Sequence, residues 1–200
     1  MKAEATRQKI VERADELIYA KGFGETSFAD IAGAVGISRG NFYYHFKSKD
    51  EILDAVIEKR LVDRERLLAN WGETSDDPLK RIECFIKIVV VNQTKIMAYG
   101  CPVGTLTAEL AKIDHGSGAK ANEILALFRD WLTRQFLELG CGGEASAHAL
   151  HVLSWSQGVA TLAQAFKDEA FVRREVEQIL DWAEAVKNQT GHAPKSATGR

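Results

Sequence analysis

Two short helical patterns lie on either side of a glycine, Gly36, and this arrangement constrains the fold more than any other feature. The first pattern follows Ser27 and the second follows Ser38, and serine is a preferred residue at the position that caps a helix. Asp30, three residues after Ser27, completes a capping box. Glycine readily adopts the left-handed backbone conformation that a tight turn requires. The sequence therefore predicts two short helices joined by a tight turn.

Small and apolar residues occupy the positions at which two such helices must pack together. Ala32 is small where the helix axes cross, which lets the two backbones approach closely. The side chains expected to point into the shared core are Ile31, Val35, Ile37 and Phe42. This spacing across residues 28–47 is typical of a helix-turn-helix motif, whose second helix enters the major groove of DNA.

The rest of the chain is also predicted to be helical, which gives an all-α fold class. Only 3 of the 200 residues are proline, a residue that interrupts helices. Periodicity alone does not exclude a buried strand in the apolar run at 79–97, but its length and helical surroundings favour a buried helix. Beyond the two short helices, we expect helices over 4–20, from 49 onward, over 79–97, up to about 112, and over 119–139, 145–166 and 169–187.

The charge distribution favours contact with DNA at one place only. A net charge of −2 and a pI near 6.2 argue against a protein that coats nucleic acid through bulk charge. Between Ser27 and Lys49, however, the basic residues Arg39, Lys47 and Lys49 outnumber the single acid, Asp30. A small basic face on a mildly acidic protein suits docking on phosphate.

The helix-turn-helix region resembles the DNA-binding signature of the TetR family of bacterial transcriptional regulators. The residues that carry the resemblance are Thr26–Ala32, Val35–Phe46, Lys49 and Leu53. The resemblance covers about the first 55 residues, and the remainder matches the family only in its all-helical layout. It implies a ligand-responsive regulator, most often a repressor, that binds a palindromic double-stranded DNA operator and is released by a small-molecule effector. It also implies a homodimer formed through the last two long helices.

This resemblance suggests a division into two domains and a tail. We expect a helix-turn-helix DNA-binding domain over residues 1–48, a helical ligand-binding and dimerisation domain over 49–188, and a disordered tail over 189–200. The helix over 145–166 carries small residues that permit close helix packing, and the helix over 169–187 carries an apolar face. Together they suit a four-helix interface between two copies. The alternative is that these faces pack within one chain.

The first residues of the second short helix are the candidates for reading bases, because the amino end of a recognition helix enters the major groove. Arg39 suits guanine and Asn41 suits adenine, since each offers a bidentate hydrogen-bond match. Tyr43 also approaches base edges, and Gly40 lets the helix backbone come close to DNA. The predicted phosphate contacts are Thr26, Ser27, Ser38, Tyr44, His45 and Lys49. The competing interpretation is that Tyr43 and His45 are ordinary packing residues and that Lys47 and Lys49 are simply solvated.

The family resemblance and the supply of bulky residues indicate a pocket for a partly apolar effector. Its candidate lining residues are Phe85, Val89, Met97, Cys101, Leu106, Phe128, Trp131 and Trp155. Each of these residues could instead belong to an ordinary core. Cys101 raises an alternative function, a repressor that senses electrophiles or redox state, because a thiol at the start of a helix can be activated as a nucleophile. An inert or pocket-lining thiol is the competing interpretation.

Catalysis and membrane insertion find no support in the sequence. His148 and His151 lie three residues apart, but no third ligand follows at metal spacing and no glycine-rich phosphate loop occurs. We therefore expect neither enzyme activity nor a metal or cofactor. No apolar run approaches the roughly 20 residues that a spanning helix needs, and the amino terminus has no signal-peptide core. Three cysteines without a CxxC pair fit a reducing compartment, so a cytoplasmic protein without membrane contact is expected.

Overall fold

The computed structural model describes residues 2–191, which form ten α-helices and one short 3-10 helix, with no β-strand within that range. The helices are α1 (Lys2–Lys21), α2 (Phe28–Val35), α3 (Arg39–His45), α4 (Lys49–Glu73), α5 (Pro78–Val91), α6 (Gln93–Tyr99), α7 (Gly104–Lys112), α8 (Gly118–Glu138), α9 (Ala145–Phe166) and α10 (Glu169–Gly191). The 3-10 helix, Gly142–Glu144, precedes α9. The predicted all-α fold class is confirmed. None of these helices is long and apolar enough to cross a membrane.

The apolar run at 79–97 differs from its prediction, because it forms two helices instead of one. It is helical, as expected, but α5 ends at Val91 and α6 begins at Gln93. Asn92 separates them, and its side-chain amide donates a hydrogen bond to the carbonyl oxygen of Ile88 at 3.0 Å. Asparagine competes with the helix backbone for hydrogen bonds in this way, and the competition favours a helix end.

The carboxy-terminal helix is longer than the sequence predicts. Helix α10 continues to Gly191, so residues 189–191 of the predicted tail are helical. The rest of that predicted tail, residues 192–200, lies outside the described residues.

Backbone contacts divide the chain into two compact units. The first unit contains the residues up to Leu67 together with Lys95–Leu127, and the second contains Leu68–Thr94 together with the residues from Phe128 onward. The first unit therefore includes α7 and parts of α4, α6 and α8 in addition to the predicted domain of residues 1–48. Helices α1–α3 bury little surface on their own, which explains why further helices join this unit. The functional boundary after residue 48 stays a prediction.

Buried apolar side chains and one buried arginine hold the first unit together. The apolar residues that are almost completely buried include Ile10, Ala14, Ile31, Phe42, Phe46, Leu53 and Ile57. Arg60 of α4 is buried too, and its Nε donates to Oδ1 of Asp15 on α1 at 2.7 Å. Its Nη1 donates to the carbonyl oxygen of Pro102, just before α7. These partners matter because a buried charge without them is strongly destabilising.

In the second unit, α5 packs against both α9 and α10. Most of the small and apolar residues that the sequence suggested for a subunit interface are buried within the chain. The buried ones are Ala149, Val152, Leu153, Ser156, Val159, Ala160 and Ala163 of α9, with Val172, Val176, Ile179 and Ala183 of α10, whereas Phe171 and Leu180 of α10 are half-buried. The alternative stated above, that these faces pack within one chain, is therefore correct for these residues.

Two residues of α5, one buried in the core of the second unit and one exposed, provide a test of how α5 packs. Ile82 of α5 is completely buried, whereas Val91 at the end of the same helix is 80% exposed. We expect Ile82→Ala to lower the free energy of unfolding by about 2–5 kcal/mol, because the change removes apolar burial and leaves a cavity. Val91→Ala should change it by less than about 0.5 kcal/mol. Urea denaturation followed by circular dichroism measures both, and equal effects would contradict this packing.

Candidate nucleic-acid interface

The start of α2 has the capping box that the sequence predicts. The hydroxyl of Ser27 accepts a hydrogen bond from the backbone amide of Asp30 at 3.1 Å. In return, the Asp30 carboxylate accepts from the backbone amide of Ser27 at 2.9 Å. This amide, together with the Ser27 hydroxyl, holds the pKa of Asp30 below its usual value. The box fixes the direction in which the chain enters α2.

The turn between α2 and α3 depends on the backbone conformation of Gly36. Gly36 has φ 74° and ψ 37°, in the left-handed region. Its amide donates to the carbonyl oxygens of Ala32 and Gly33, and the amide of Ile37 donates to Ala32 as well. This is the Schellman pattern of helix termination. A Cβ atom at Gly36 would meet nothing within 4 Å, so the backbone angle alone requires glycine there.

The recognition-helix candidate, α3, has one buried side chain and an otherwise accessible surface. The Ser38 hydroxyl caps it by accepting from the amide of Asn41 at 3.3 Å. Phe42 is buried in the core, and its ring centroid lies 5.2 Å from the ring centroid of Phe28. The predicted base-reading residues are all exposed, together with the adjacent positions: Arg39, Gly40, Asn41, Tyr43 and Tyr44. The ring centroids of Tyr43 and Phe28 lie 5.5 Å apart, so Tyr43 packs against Phe28 although its side chain remains 46% exposed.

Four of the predicted phosphate contacts have side chains that are exposed or half-buried. Ser27 and Ser38 are exposed at the first turns of α2 and α3, and His45 is half-buried against the ring of Tyr44. Lys49 is half-buried, and its Nζ donates to the carbonyl oxygen of Gly24 at 3.1 Å. These four side chains remain candidates for contact with phosphate.

Thr26 does not fit the phosphate contact predicted for it. Its side chain is 1% exposed, and its hydroxyl donates to the carbonyl oxygen of Gly22 at 2.7 Å. The hydroxyl stabilises the turn before α2, because a buried polar group needs a partner inside the protein. We therefore remove Thr26 from the candidate interface.

Several contacts around this region have no signal in the local sequence. The Nζ of Lys9 on α1 donates to the carbonyl oxygen of Val35 at the end of α2, at 3.1 Å. The guanidinium of Arg7 lies 4.9 Å from the ring centroid of Phe46. Both basic residues thus brace the helix-turn-helix from α1. The carboxylate of Glu109 on α7 contacts the turn between α1 and α2, and no local pattern could have identified it.

The predicted effector residues lie in both units, and the pocket stays a prediction. In the second unit, Phe85, Val89, Phe128 and Trp131 are buried and Trp155 is half-buried. Trp71 joins the aromatic members, and neighbouring ring centroids in this cluster lie 5.4–6.4 Å apart. In the first unit, Leu106 is buried, and Met97 and Cys101 are half-buried.

Cys101 lies three residues before α7 begins, outside its first turn. Its sulfur accepts a hydrogen bond from the amide of Gly104 at 3.4 Å. This neutral contact gives no specific support to the cysteine-based alternative. No cluster of three or more metal-ligating side chains occurs within residues 2–191.

Comparison with known proteins gives one family match. Residues 10–56 match the family model described as bacterial regulatory proteins of the tetR family. An uncharacterised HTH-type transcriptional regulator from Lactococcus lactis subsp. lactis is 35% identical over 111 residues, covering 54% of this chain and 57% of that protein. The transcriptional repressor DhaR from Mycobacterium sp. (strain GP1) is 25% identical over 127 residues, covering 63% of this chain and 61% of that protein. The matches thus span about three fifths of these relatives' length.

A solved structure shares the fold over nearly the whole chain. A TetR-family regulator from Agrobacterium tumefaciens superposes with a TM-score of 0.80 at 22% sequence identity. The superposition covers 90% of this chain and 98% of that one.

Two glycines near α3 should respond to alanine in opposite directions. Gly36→Ala should lower the free energy of unfolding by about 1–2 kcal/mol, because alanine is strained at φ 74°. Gly40→Ala should raise it by up to about 1 kcal/mol, since Gly40 is helical and a Cβ there meets nothing within 4 Å. Urea unfolding of both variants measures the difference. Shifts of the same sign would show that this account of the turn is wrong.

Proposed function

Since this chain is a transcriptional regulator of the bacterial TetR family, we propose that it represses transcription as a homodimer on a palindromic operator and is released by a small-molecule effector. The observation that carries the proposal is the accessible surface of α3, held by two serine caps and the Gly36 turn. Repression is the activity in the name of the similar Mycobacterium protein, DhaR, which supports the direction of control.

The proposed base contacts are Arg39, Asn41 and Tyr43, in the first half of α3. Their exposure supports this role, and so does the open space at Gly40, where a missing side chain would let the helix backbone approach DNA. The proposed phosphate contacts are Ser27, Ser38, Tyr44, His45 and Lys49. Such contacts set the register on DNA without reading its sequence.

A surface on α9 supports dimerisation. Leu150, Ser154, Gly158, Leu162 and Phe166, here called the α9 ridge, follow one another at intervals of four residues. Leu150, Leu162 and Phe166 are 50%, 41% and 71% exposed, which is unusual for large apolar side chains on one line. Rows of residues at this interval form the ridges that pack between helices. We propose that the α9 ridges of two copies meet and that two α3 helices then reach successive major grooves.

Most of the proposed effector contacts lie in the second unit. Its aromatic cluster suits a partly apolar ligand, since such sites are lined mainly by aromatic and aliphatic side chains. Trp155 Nε1 and Gln135 Oε1 are buried there without a hydrogen-bond partner among the described residues. Buried polar atoms normally have partners, so these two atoms support an effector that also carries polar groups. Release would follow if the effector favours a dimer whose α3 helices no longer match the two half-sites.

Loss of two base contacts should abolish operator binding. A duplex selected from a random library by the wild-type protein serves as operator, and affinity is measured at fixed salt because salt changes it strongly. We expect Arg39→Ala combined with Tyr43→Ala to weaken binding at least about 30-fold, since each lost contact costs about 1–3 kcal/mol. The dimer should persist in sedimentation. Arg66→Ala, which removes an exposed arginine from α4, is the control and should bind normally; operator affinity retained by the double variant would reject the assigned interface.

Charge placed on the α9 ridge should dissociate the dimer. We expect Leu150→Glu combined with Leu162→Glu to sediment as a monomer, because carboxylates would be buried facing each other in the interface. Leu137→Glu is a matched control, since Leu137 is an equally exposed leucine on α8, at 52%. Analytical ultracentrifugation at several concentrations gives the association state. A ridge variant that remains dimeric would disprove this interface, and so would dissociation of the control.

A further inference from the structure

The turn between α1 and α2 depends on a side chain far away in the sequence. The backbone amides of Phe23 and Gly24 donate hydrogen bonds to the two carboxylate oxygens of Glu109, at 2.9 and 2.7 Å. Glu109 lies on α7, 85 residues beyond Gly24. Two successive amides that converge on one anion form a nest, and hydrogen bonds to a charged acceptor are stronger than neutral ones.

Glycine at position 22 makes this contact possible. Gly22 has φ +92°, in the region that other residues adopt only with strain. A Cβ atom there would lie 3.1 Å from Oε2 of Glu109, which is closer than ordinary contact. Both the backbone angle and the close approach of Glu109 therefore require glycine.

The same turn is held from α4 by Lys49, the first residue of that helix. Its Nζ donates to the carbonyl oxygen of Gly24 at 3.1 Å and lies 4.3 Å from the ring centroid of Phe23. A cation on one side and a carboxylate on the other thus satisfy three backbone groups of Phe23 and Gly24. Ser27, which caps α2, follows three residues later.

We propose that Glu109 is a positioning residue for operator recognition, which holds the α1–α2 turn and thereby sets the orientation of α2 and α3. The inference rests on the function proposed above. Few residues separate Glu109's contact from α3. The α1–α2 turn leads directly into the capping box of α2, and the Gly36 turn joins α2 to α3.

The test compares specific with non-specific DNA binding. Glu109→Gln keeps the size of the side chain but replaces one acceptor oxygen by a donor, which faces an amide that also donates. We expect the ratio of affinities for the selected operator and for a random duplex to fall about ten-fold, within the usual range for coupled sites. A purely structural defect would reduce the folded fraction, lower both affinities equally and leave the ratio unchanged. That unchanged ratio would overturn the inference.

Two further variants complete the test. Glu123→Gln makes the same charge change at an exposed position of α8 in the same unit, and its ratio should equal that of the wild type. If Glu109→Gln does not fold, Glu109→Asp is used, because it keeps the charge but is one methylene too short to reach both amides, and its ratio must also fall. A wild-type protein without operator preference would reject the proposed function itself. Preference in the wild type with unchanged ratios in the Glu109 variants would reject only the role of Glu109.

Discussion

The left-handed backbone at Gly36 is the constraint on which the proposed DNA-binding surface depends. It ends α2 with Schellman hydrogen bonds and reverses the chain within two residues, so that Ser38 already caps the next helix. Helix α3 has only seven residues and buries only Phe42 fully. Once Phe42 is fixed in the core, helical geometry leaves Arg39, Gly40 and Tyr43 accessible. The accessible surface of α3, which we propose reads DNA, is thus a consequence of one backbone angle and one buried ring.

Helices α1–α3 do not bury enough surface to hold this geometry alone, and the first unit shows how it is reinforced. Arg60 joins α4 to α1 and to the segment before α7 through charged hydrogen bonds in a buried place. Tyr19 of α1 donates to the carbonyl oxygen of Gly100 in that same segment at 2.8 Å, and burial raises the pKa of Tyr19 to about 12. Glu109 completes the set from α7. All three contacts are polar and directional, so they fix orientation where apolar packing would permit sliding.

In the second unit, the two faces of helix α9 differ in side-chain size and in burial. Helix α9 has small residues on the face that packs against α5 and α10, and larger apolar residues along the α9 ridge. Small residues let helix backbones come close inside the chain, whereas Leu150 and Leu162 offer apolar area that a second copy can cover. The sequence suggested an interface on these helices and pointed to the small residues of α9, which are buried within the chain. Both faces of α9 repeat at helical intervals, and periodicity does not say which one is turned inward.

The sequence by itself determined the features that depend on near neighbours along the chain: the Ser27–Asp30 capping box, the Gly36 turn, the Ser38 cap and the helical state of nearly every segment. These rest on hydrogen bonds and backbone preferences that span at most about five residues, so their signals are local. Only the tertiary structure decided that Thr26 is buried, that α9 turns its small residues inward, and that Glu109 caps a turn 85 residues earlier. The physical reason is that burial and long-range hydrogen bonds depend on which distant segments pack against a residue. A local stretch of sequence does not specify those segments.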